Sequence, residues 1–72
     1  MNLDEKTKSE IGKRLRESRE QKKLTQADVA KKAGITSSYY ARIERGEEQP
    51  SLPTLKTLVF ILKVKAGDIL PF

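Results

Sequence analysis

The chain has 72 residues and a formal net charge of +5, from 15 lysines and arginines against 10 aspartates and glutamates. A chain of this length forms a single domain. It contains neither cysteine nor histidine, which excludes disulfides, most zinc sites and the common catalytic pairs that use histidine as a base. The positive excess lies in the first 46 residues, because residues 47–72 carry three basic and three acidic groups. This balance fits either a nucleic-acid-binding domain or an ordinary solvated surface.

The sequence predicts neither a membrane span nor a signal peptide. No apolar run approaches the roughly 20 residues that a membrane span requires. The polar N-terminal sequence MNLDEKTKSE lacks the apolar stretch of a signal peptide. We therefore expect a cytoplasmic protein that has no membrane partner. Within the chain, we expect residues 1–8 to form a flexible N-terminal segment and residues 9–72 to form a single domain.

Apolar residues recur at helical spacing along the chain, which predicts five helices and no strand. The first helix is predicted over residues 8–22, where Ile11 and Leu15 lie on one face. Its N-cap is expected to be Ser9 or Thr7.

The second helix is predicted over residues 26–32. Thr25 is its N-cap, and Asp28 stands three residues later, which is the spacing of a capping box. Gly34 supplies the left-handed residue that ends such a helix.

The third helix is predicted over residues 37–45, between the N-cap Thr36 and the terminating Gly46. Only Ile35 and Thr36 separate it from Gly34. The two helices are therefore joined by a turn of three or four residues that contains glycine, which is typical of a helix-turn-helix.

Two more helices are predicted in the last third of the chain. Ser51 caps the fourth, over residues 52–62, and Pro53 falls in its first turn, where the missing N–H costs nothing. The fifth is a short helix over residues 66–70, broken by Pro71. The whole chain is expected to be an all-α, compact bundle of five helices.

Four short motifs occur in order along this bundle, namely LTQADVA at 24–30, AGIT at 33–36, IERG at 43–46 and PSL at 50–52. In these motifs the chain resembles the phage repressor and Cro-like helix-turn-helix family, also called the XRE family. The resemblance covers roughly residues 10–70. It implies a lambda-repressor-like DNA-binding domain in which helix 3 lies in the major groove of double-stranded DNA and helix 2 crosses the backbone.

The resemblance implies that three residues on one face of helix 3 read base edges, namely Ser37, Ser38 and Arg42. Their chemistry agrees with this role. An arginine can form a bidentate pair with O6 and N7 of guanine, whereas a serine can bond to any base and therefore discriminates weakly between bases. Arg42 is therefore expected to carry most of the direct readout. The alternative for the two serines is that they only begin the helix.

Phosphate contacts are implied at Gln26, Thr36 and Arg45, and the hydroxyl of Tyr39 is a fourth candidate. Gln26 lies in the first turn of helix 2, where free backbone N–H groups and the positive helix end favour an anion. Thr36 acts first as a helix cap, and Tyr39 is otherwise a surface aromatic residue.

A structural ion pair is implied between Arg19, late in helix 1, and Glu44 of the IERG motif. It would lock helix 1 to the end of helix 3, so Glu44 is interpreted as structural and not as catalytic. The chain departs from the family pattern at Lys23 and Lys63, where relatives often have glycine. A left-handed backbone at either lysine would store strain.

Apolar residues near the C-terminus predict a twofold dimer whose interface contains Phe60, Ile69, Leu70 and Phe72, because a monomer of this size rarely exposes so much apolar surface. Two recognition helices about 34 Å apart would then read an inverted repeat. The alternative is that Phe60 and Phe72 fold back onto the core.

These features predict a sequence-specific DNA-binding transcriptional regulator that acts as a dimer, with no metal, no cofactor and no enzymatic activity. The alternative is a protein-interaction module, such as an antitoxin or a repressor antagonist. Its unknown protein partner would bind the apolar strip at Phe60 and Phe72. Glu47 and Glu48 are interpreted as solvated acids near the DNA edge that reduce non-specific affinity.

Overall fold

The computed structural model describes residues 2–72 of the chain, which form five helices and no strand. The helices are α1 (Glu5–Gln21), α2 (Gln26–Ala33), α3 (Ser37–Glu44), α4 (Leu52–Leu62) and α5 (Ala66–Ile69). The predicted all-α architecture is confirmed. None of the helices in residues 2–72 is both long enough and apolar enough to cross a membrane.

Helix α1 begins three residues earlier than the sequence analysis predicted. Asp4 is its N-cap, and the side-chain Oδ1 of Asp4 accepts a hydrogen bond of 2.7 Å from the backbone N–H of Thr7. Aspartate is among the strongest N-caps, and Glu5 adds a favourable negative charge in the first turn. The assignment of the cap to Thr7 or Ser9 was therefore wrong.

This earlier start changes how the N-terminal segment is described. Residues 5–8, which were predicted to belong to a flexible segment, lie in the first turn of α1. Met1 lies outside the described residues. The division into residues 1–8 and 9–72 otherwise stays a prediction.

Helices α2 and α3 begin at the N-caps that the sequence predicts. The Thr25 hydroxyl accepts from the Asp28 N–H at 3.0 Å, and the Asp28 carboxylate accepts from the Thr25 N–H at 2.9 Å. Gly34 has a left-handed backbone with φ of 70°, and Thr36 Oγ1 accepts from the Tyr39 N–H at 3.0 Å. The helix-turn-helix is thus built by local hydrogen bonds that fix where each helix begins and ends.

The core lies at the centre of the bundle, where all five helices contribute to the ten apolar residues that are buried within residues 2–72: Ile11, Leu15, Val29, Ala30, Tyr40, Ile43, Leu55, Leu58, Leu62 and Ile69. Full burial of one large aliphatic side chain contributes about 1.5–3 kcal/mol. Helix α3 packs against both α1 and α2, and α2 also packs against α4. This packing holds one face of α3 in the core and turns the other face outward.

Gly12 allows α1 to approach the end of α3 closely. A β-carbon at this position would collide with the backbone carbonyl groups of Ile43 and Glu44. Any other residue at this point would push the two helices apart. The sequence analysis did not identify this requirement.

The C-terminal residues correct one part of the predicted dimer interface. Helix α5 folds back against α1 and α4, which turns Ile69 fully into the core of its own chain. Ile69 is therefore not available to a partner, and its assignment to the interface was wrong. Leu70 is half-buried, while Phe60 and Phe72 remain 83% and 79% exposed instead of folding back.

Both departures from the family's glycine pattern have left-handed backbones. Lys23 has a φ of 58° and Lys63 a φ of 56°. Lys63 is the C-cap of α4. A non-glycine residue in this conformation costs roughly 1–2 kcal/mol, so each lysine stores a small amount of strain.

Candidate nucleic-acid interface

The outward face of α3 carries the residues that were predicted to read bases. Ser37 and Ser38 are exposed and Arg42 is half-exposed, whereas Tyr40 and Ile43 are fully buried on the opposite side. Arg42 Nη1 donates a hydrogen bond of 3.0 Å to Ser38 Oγ, one helical turn earlier. The structure therefore brings Ser38 and Arg42 into direct contact, with Ser37 beside them at the start of the helix.

Arg42 is held by two further groups. Its Nε donates to Glu48 Oε2 at 3.3 Å. Its guanidinium carbon lies 5.8 Å from the centre of the Tyr39 ring, within the range of a cation–π contact. The half-buried Tyr39 packs against the core, so it offers Arg42 a fixed surface.

Arg45, the C-cap of α3, is more exposed and pairs with Glu47. The two side chains meet bidentately, with Nε–Oε2 at 2.8 Å and Nη2–Oε1 at 3.2 Å. The hydrogen bond from Arg45 lowers the pKa of the Glu47 carboxyl. Glu47 and Glu48 were interpreted as solvated acids, but each is paired with a different arginine of the candidate interface.

The candidates for phosphate contact also have partners within the chain. Gln26 is the first residue of α2, and its Nε2 donates to Glu44 Oε1 at 2.9 Å. An amide nitrogen carries two hydrogens, so one bond does not exhaust Gln26 as a donor. Thr36 uses an oxygen lone pair to cap α3, which leaves its hydroxyl hydrogen to be donated elsewhere.

A buried network lies directly beneath this surface. Arg19 and Glu44 pair bidentately, with Nε–Oε2 at 2.7 Å and Nη2–Oε1 at 3.1 Å. Arg19 Nη1 also donates to the carbonyl oxygen of Leu24 at 2.9 Å. These bonds join the end of α1, the loop between α1 and α2, and the end of α3.

Burial of the Glu44 carboxylate opposes its ionisation, but the hydrogen bonds it accepts from Arg19 and Gln26 outweigh burial and lower its pKa. Burial also raises the pKa of the neighbouring Tyr40 hydroxyl. Within residues 2–72 that hydroxyl has no partner with ordinary hydrogen-bond geometry. The lowered pKa keeps the Glu44 carboxylate ionised, and both of its oxygens accept hydrogen bonds. This arrangement suits a structural role.

Basic residues flank the interface at the end of α2, where Lys31 and Lys32 are exposed in the last turn. Among residues 2–72, no group of three or more acidic side chains is placed to hold a metal ion. The surface that these elements share thus combines hydroxyl and guanidinium donors on α3, where each arginine is paired with a glutamate, with the positive charge of the two lysines on α2. Its chemistry suits an anionic polymer with hydrogen-bond acceptors.

The helix-turn-helix family profile matches residues 15–69. This chain belongs to the helix-turn-helix family. The family is one of DNA-binding transcriptional regulators.

One curated relative is the immunity repressor protein of Bacillus phage phi105. It is 39% identical over 59 residues, which are 82% of this chain and 41% of the repressor. The chain thus spans less than half the length of this relative.

Two solved structures share the fold. The restriction-modification controller protein C.AhdI from Aeromonas hydrophila has a TM-score of 0.81 at 33% identity, over 85% of this chain and 92% of that one. The complex of the SinR and SinI proteins gives 0.79 at 32% identity, over 85% and 60% of the respective chains. The fold is thus shared with a restriction-modification controller protein and with a chain of the SinR–SinI complex.

Proposed function

We infer that this chain is a sequence-specific transcriptional regulator that binds double-stranded DNA with α3 in the major groove. The observation that carries this proposal is the free face of α3, on which Ser37, Ser38 and Arg42 stand clear of the core. A helix of this diameter fits the major groove, where each base pair presents a distinct pattern of donors and acceptors. Arg42 is the main reader, because a bidentate pair with guanine discriminates by about 1–3 kcal/mol.

Phosphate contacts from both helices would fix the orientation of α3 in the groove. Gln26 and Thr36 lie at the starts of α2 and α3, where free backbone N–H groups favour an anion. The half-buried Tyr39 offers its hydroxyl at the edge of the same surface. Arg45 pairs with Glu47 in the open, and since exposed pairs are weak, a DNA phosphate can replace that carboxylate.

Dimerisation completes the proposed mode of binding, because one short helix reads only a few base pairs. Phe60, Leu70 and Phe72 form the proposed interface, without Ile69. A twofold dimer would read an inverted repeat with half-sites about 34 Å apart. Sedimentation at micromolar concentration is expected to give about twice the 8.2 kDa chain mass, and Phe60→Ser to return it to one chain. A native monomer under these conditions would exclude this part of the proposal.

A second candidate function is the capture of a protein partner, as in an antitoxin or a repressor antagonist. Its support is that the large apolar side chains of Phe60 and Phe72 are both exposed. The SinR and SinI proteins, whose complex contains a similar fold, show that such a domain occurs together with another protein. In either case DNA is the first partner to test, and we expect the protein to act in the cytoplasm, where bacterial and phage DNA lies.

The test is selection of bound duplexes from a random-sequence pool, carried out with the native chain, with Arg42→Ala and with Arg16→Ala. Arg16 is an exposed arginine of α1, so its replacement removes the same charge away from α3. We expect the native chain and Arg16→Ala to enrich one inverted repeat, and Arg42→Ala to lose or relax it. Weak binding without enrichment, unchanged by Arg42→Ala, would contradict the proposal and favour the protein partner.

A further inference from the structure

We propose that Glu48 is a positioning residue for Arg42 and thereby sets the base specificity of α3. This inference rests on the proposed function, because it assumes that Arg42 reads a base. Glu48 and Glu47 are neighbours in the chain, yet each binds a different arginine. Glu48 Oε2 lies 3.3 Å from Arg42 Nε, whereas Glu47 holds Arg45 through two bonds of 2.8 and 3.2 Å.

The contacts of Arg42 fix the position of its guanidinium but leave some of its N–H donors free. Glu48 accepts the Nε–H, Ser38 accepts one hydrogen from Nη1, and the Tyr39 ring lies against the group. An arginine has five N–H donors, so these two bonds leave three, and neither bond involves Nη2. Three donors are enough for the bidentate pair that guanine accepts at O6 and N7. Arg42 is thus held ready for a base by groups that all belong to its own chain.

Prior fixation matters because a free arginine side chain loses rotamer freedom when it binds. A carboxylate that orders the guanidinium before DNA arrives removes part of that cost from the binding step. The same negative charge repels the phosphates of every duplex, whatever its sequence. Glu48 therefore weakens binding to all DNA by a common factor and, in addition, favours the one site whose guanine meets the fixed Arg42. Only this second effect raises the ratio of specific to non-specific affinity.

Glu47 provides the contrast, because its partner Arg45 is a proposed phosphate contact. Phosphate contacts position the protein on DNA but do not distinguish sequences. Removal of either glutamate changes the net charge of the chain by the same amount. Glu47→Ala is therefore a charge-matched control, which is expected to tighten binding to all duplexes by one common factor.

The experiment measures dissociation constants by fluorescence anisotropy for the native chain, Glu48→Ala, Glu48→Gln and Glu47→Ala. The probes are the duplex recovered by the selection above, a scrambled duplex, and the recovered duplex with 7-deazaguanine in place of guanine, which removes the N7 acceptor. Thermal unfolding of each variant is measured in parallel, so that a loss of folded protein is recognised.

For Glu48→Ala we expect the ratio of specific to non-specific affinity to fall about three- to tenfold, part of the roughly 5- to 150-fold of a full guanine contact. The penalty for 7-deazaguanine should shrink in the same variant. Glu48→Gln keeps an oxygen that accepts from Nε, so it should restore part of the ratio. In Glu47→Ala the ratio and the 7-deazaguanine penalty should stay as in the native chain.

Two results would overturn the inference in distinguishable ways. If Glu48→Ala tightens all three duplexes equally, as Glu47→Ala does, Glu48 is only a repulsive charge and the proposed function still stands. If the native chain itself shows no preference for the recovered duplex and no 7-deazaguanine penalty, the proposed function fails and this inference fails with it.

Discussion

Two regions of this molecule use the same pairing of arginine with glutamate in opposite surroundings. In the buried region, the side chains of Arg19 and Glu44 are 12% and 2% exposed. On the outward side of α3, Arg42 and Glu48 are 40% and 41% exposed, and the Arg45–Glu47 pair is more open still. The buried pair joins three helices, whereas the exposed pairs sit where another anion can compete.

The difference teaches that burial, more than bond length, decides what an ion pair does. The Arg19–Glu44 and Arg45–Glu47 pairs have similar shortest distances, 2.7 and 2.8 Å. In the buried pair, loss of one partner leaves an uncompensated charge away from water. In the exposed pair water solvates whichever charge remains. The buried pair is therefore expected to determine the stability of the fold. The two exposed pairs are expected to determine affinity and specificity for DNA.

The largest effect expected is on stability, from Glu44→Ala. Because the change strands the Arg19 charge and frees Gln26, the free energy of unfolding should fall by about 3–5 kcal/mol. That is much of the whole stability of a domain this small, so the variant is expected to be partly unfolded. Urea unfolding followed by circular dichroism measures the change. Glu47→Ala is the control, and an equal loss in both variants would remove the distinction between the two regions.

The next effect concerns DNA binding and compares two arginines of α3. Arg42→Lys keeps the positive charge but loses the planar pair of donors, so preference for the selected duplex should fall by about 1–3 kcal/mol. Arg45→Lys should change the affinity for all duplexes slightly and equally, because a lysine ammonium can replace the guanidinium in a contact with a phosphate. Competition titrations with scrambled duplex distinguish the two. Equal losses of preference would mean that both arginines read bases or that neither does.

The pH dependence of stability should report on the buried Arg19–Glu44 pair. Because the folded-state pKa of Glu44 is lowered, its contribution is present above the unfolded glutamate pKa, about 4.3. It should be lost as the pH falls through the lower folded value. Urea unfolding between pH 7 and pH 3 should show this acid-side decline. The slope should be smaller in Glu44→Gln, and identical slopes would mean that the pKa of Glu44 does not change on folding.

The smallest effect expected comes from the backbone and not from charge. Lys63 caps α4 with a left-handed φ of 56°, so Lys63→Gly should raise the free energy of unfolding by up to about 1 kcal/mol. Lys65 has an extended backbone with φ of −91°, and Lys65→Gly should lower stability through added unfolded-state entropy. Both changes remove one positive charge. Thermal unfolding at matched ionic strength would show opposite shifts, and shifts of the same sign would point to charge instead.

The amino-acid sequence by itself determined the helix-turn-helix and the outward face of α3. Thr25, Asp28, Gly34 and Thr36 act on residues within a few positions of themselves, so the start and end of each helix can be predicted locally. The apolar period then places Tyr40 and Ile43 inward, and Arg42 on the other side. Asp4 shows the limit of this reasoning. The first buried apolar residue of α1 is Ile11, seven positions later, so the apolar period gives no signal that the helix begins at Asp4.

Only the tertiary structure decided which groups meet across the fold. Ile69 is turned inward because α5 packs back on α1 and α4, and Gln26 meets Glu44 because α2 packs against α3. The collision that a β-carbon at Gly12 would cause likewise depends on where α1 crosses α3. Local propensities act over a few residues, whereas these contacts depend on how whole helices pack, and helix packing is set by the joint fit of the complete core.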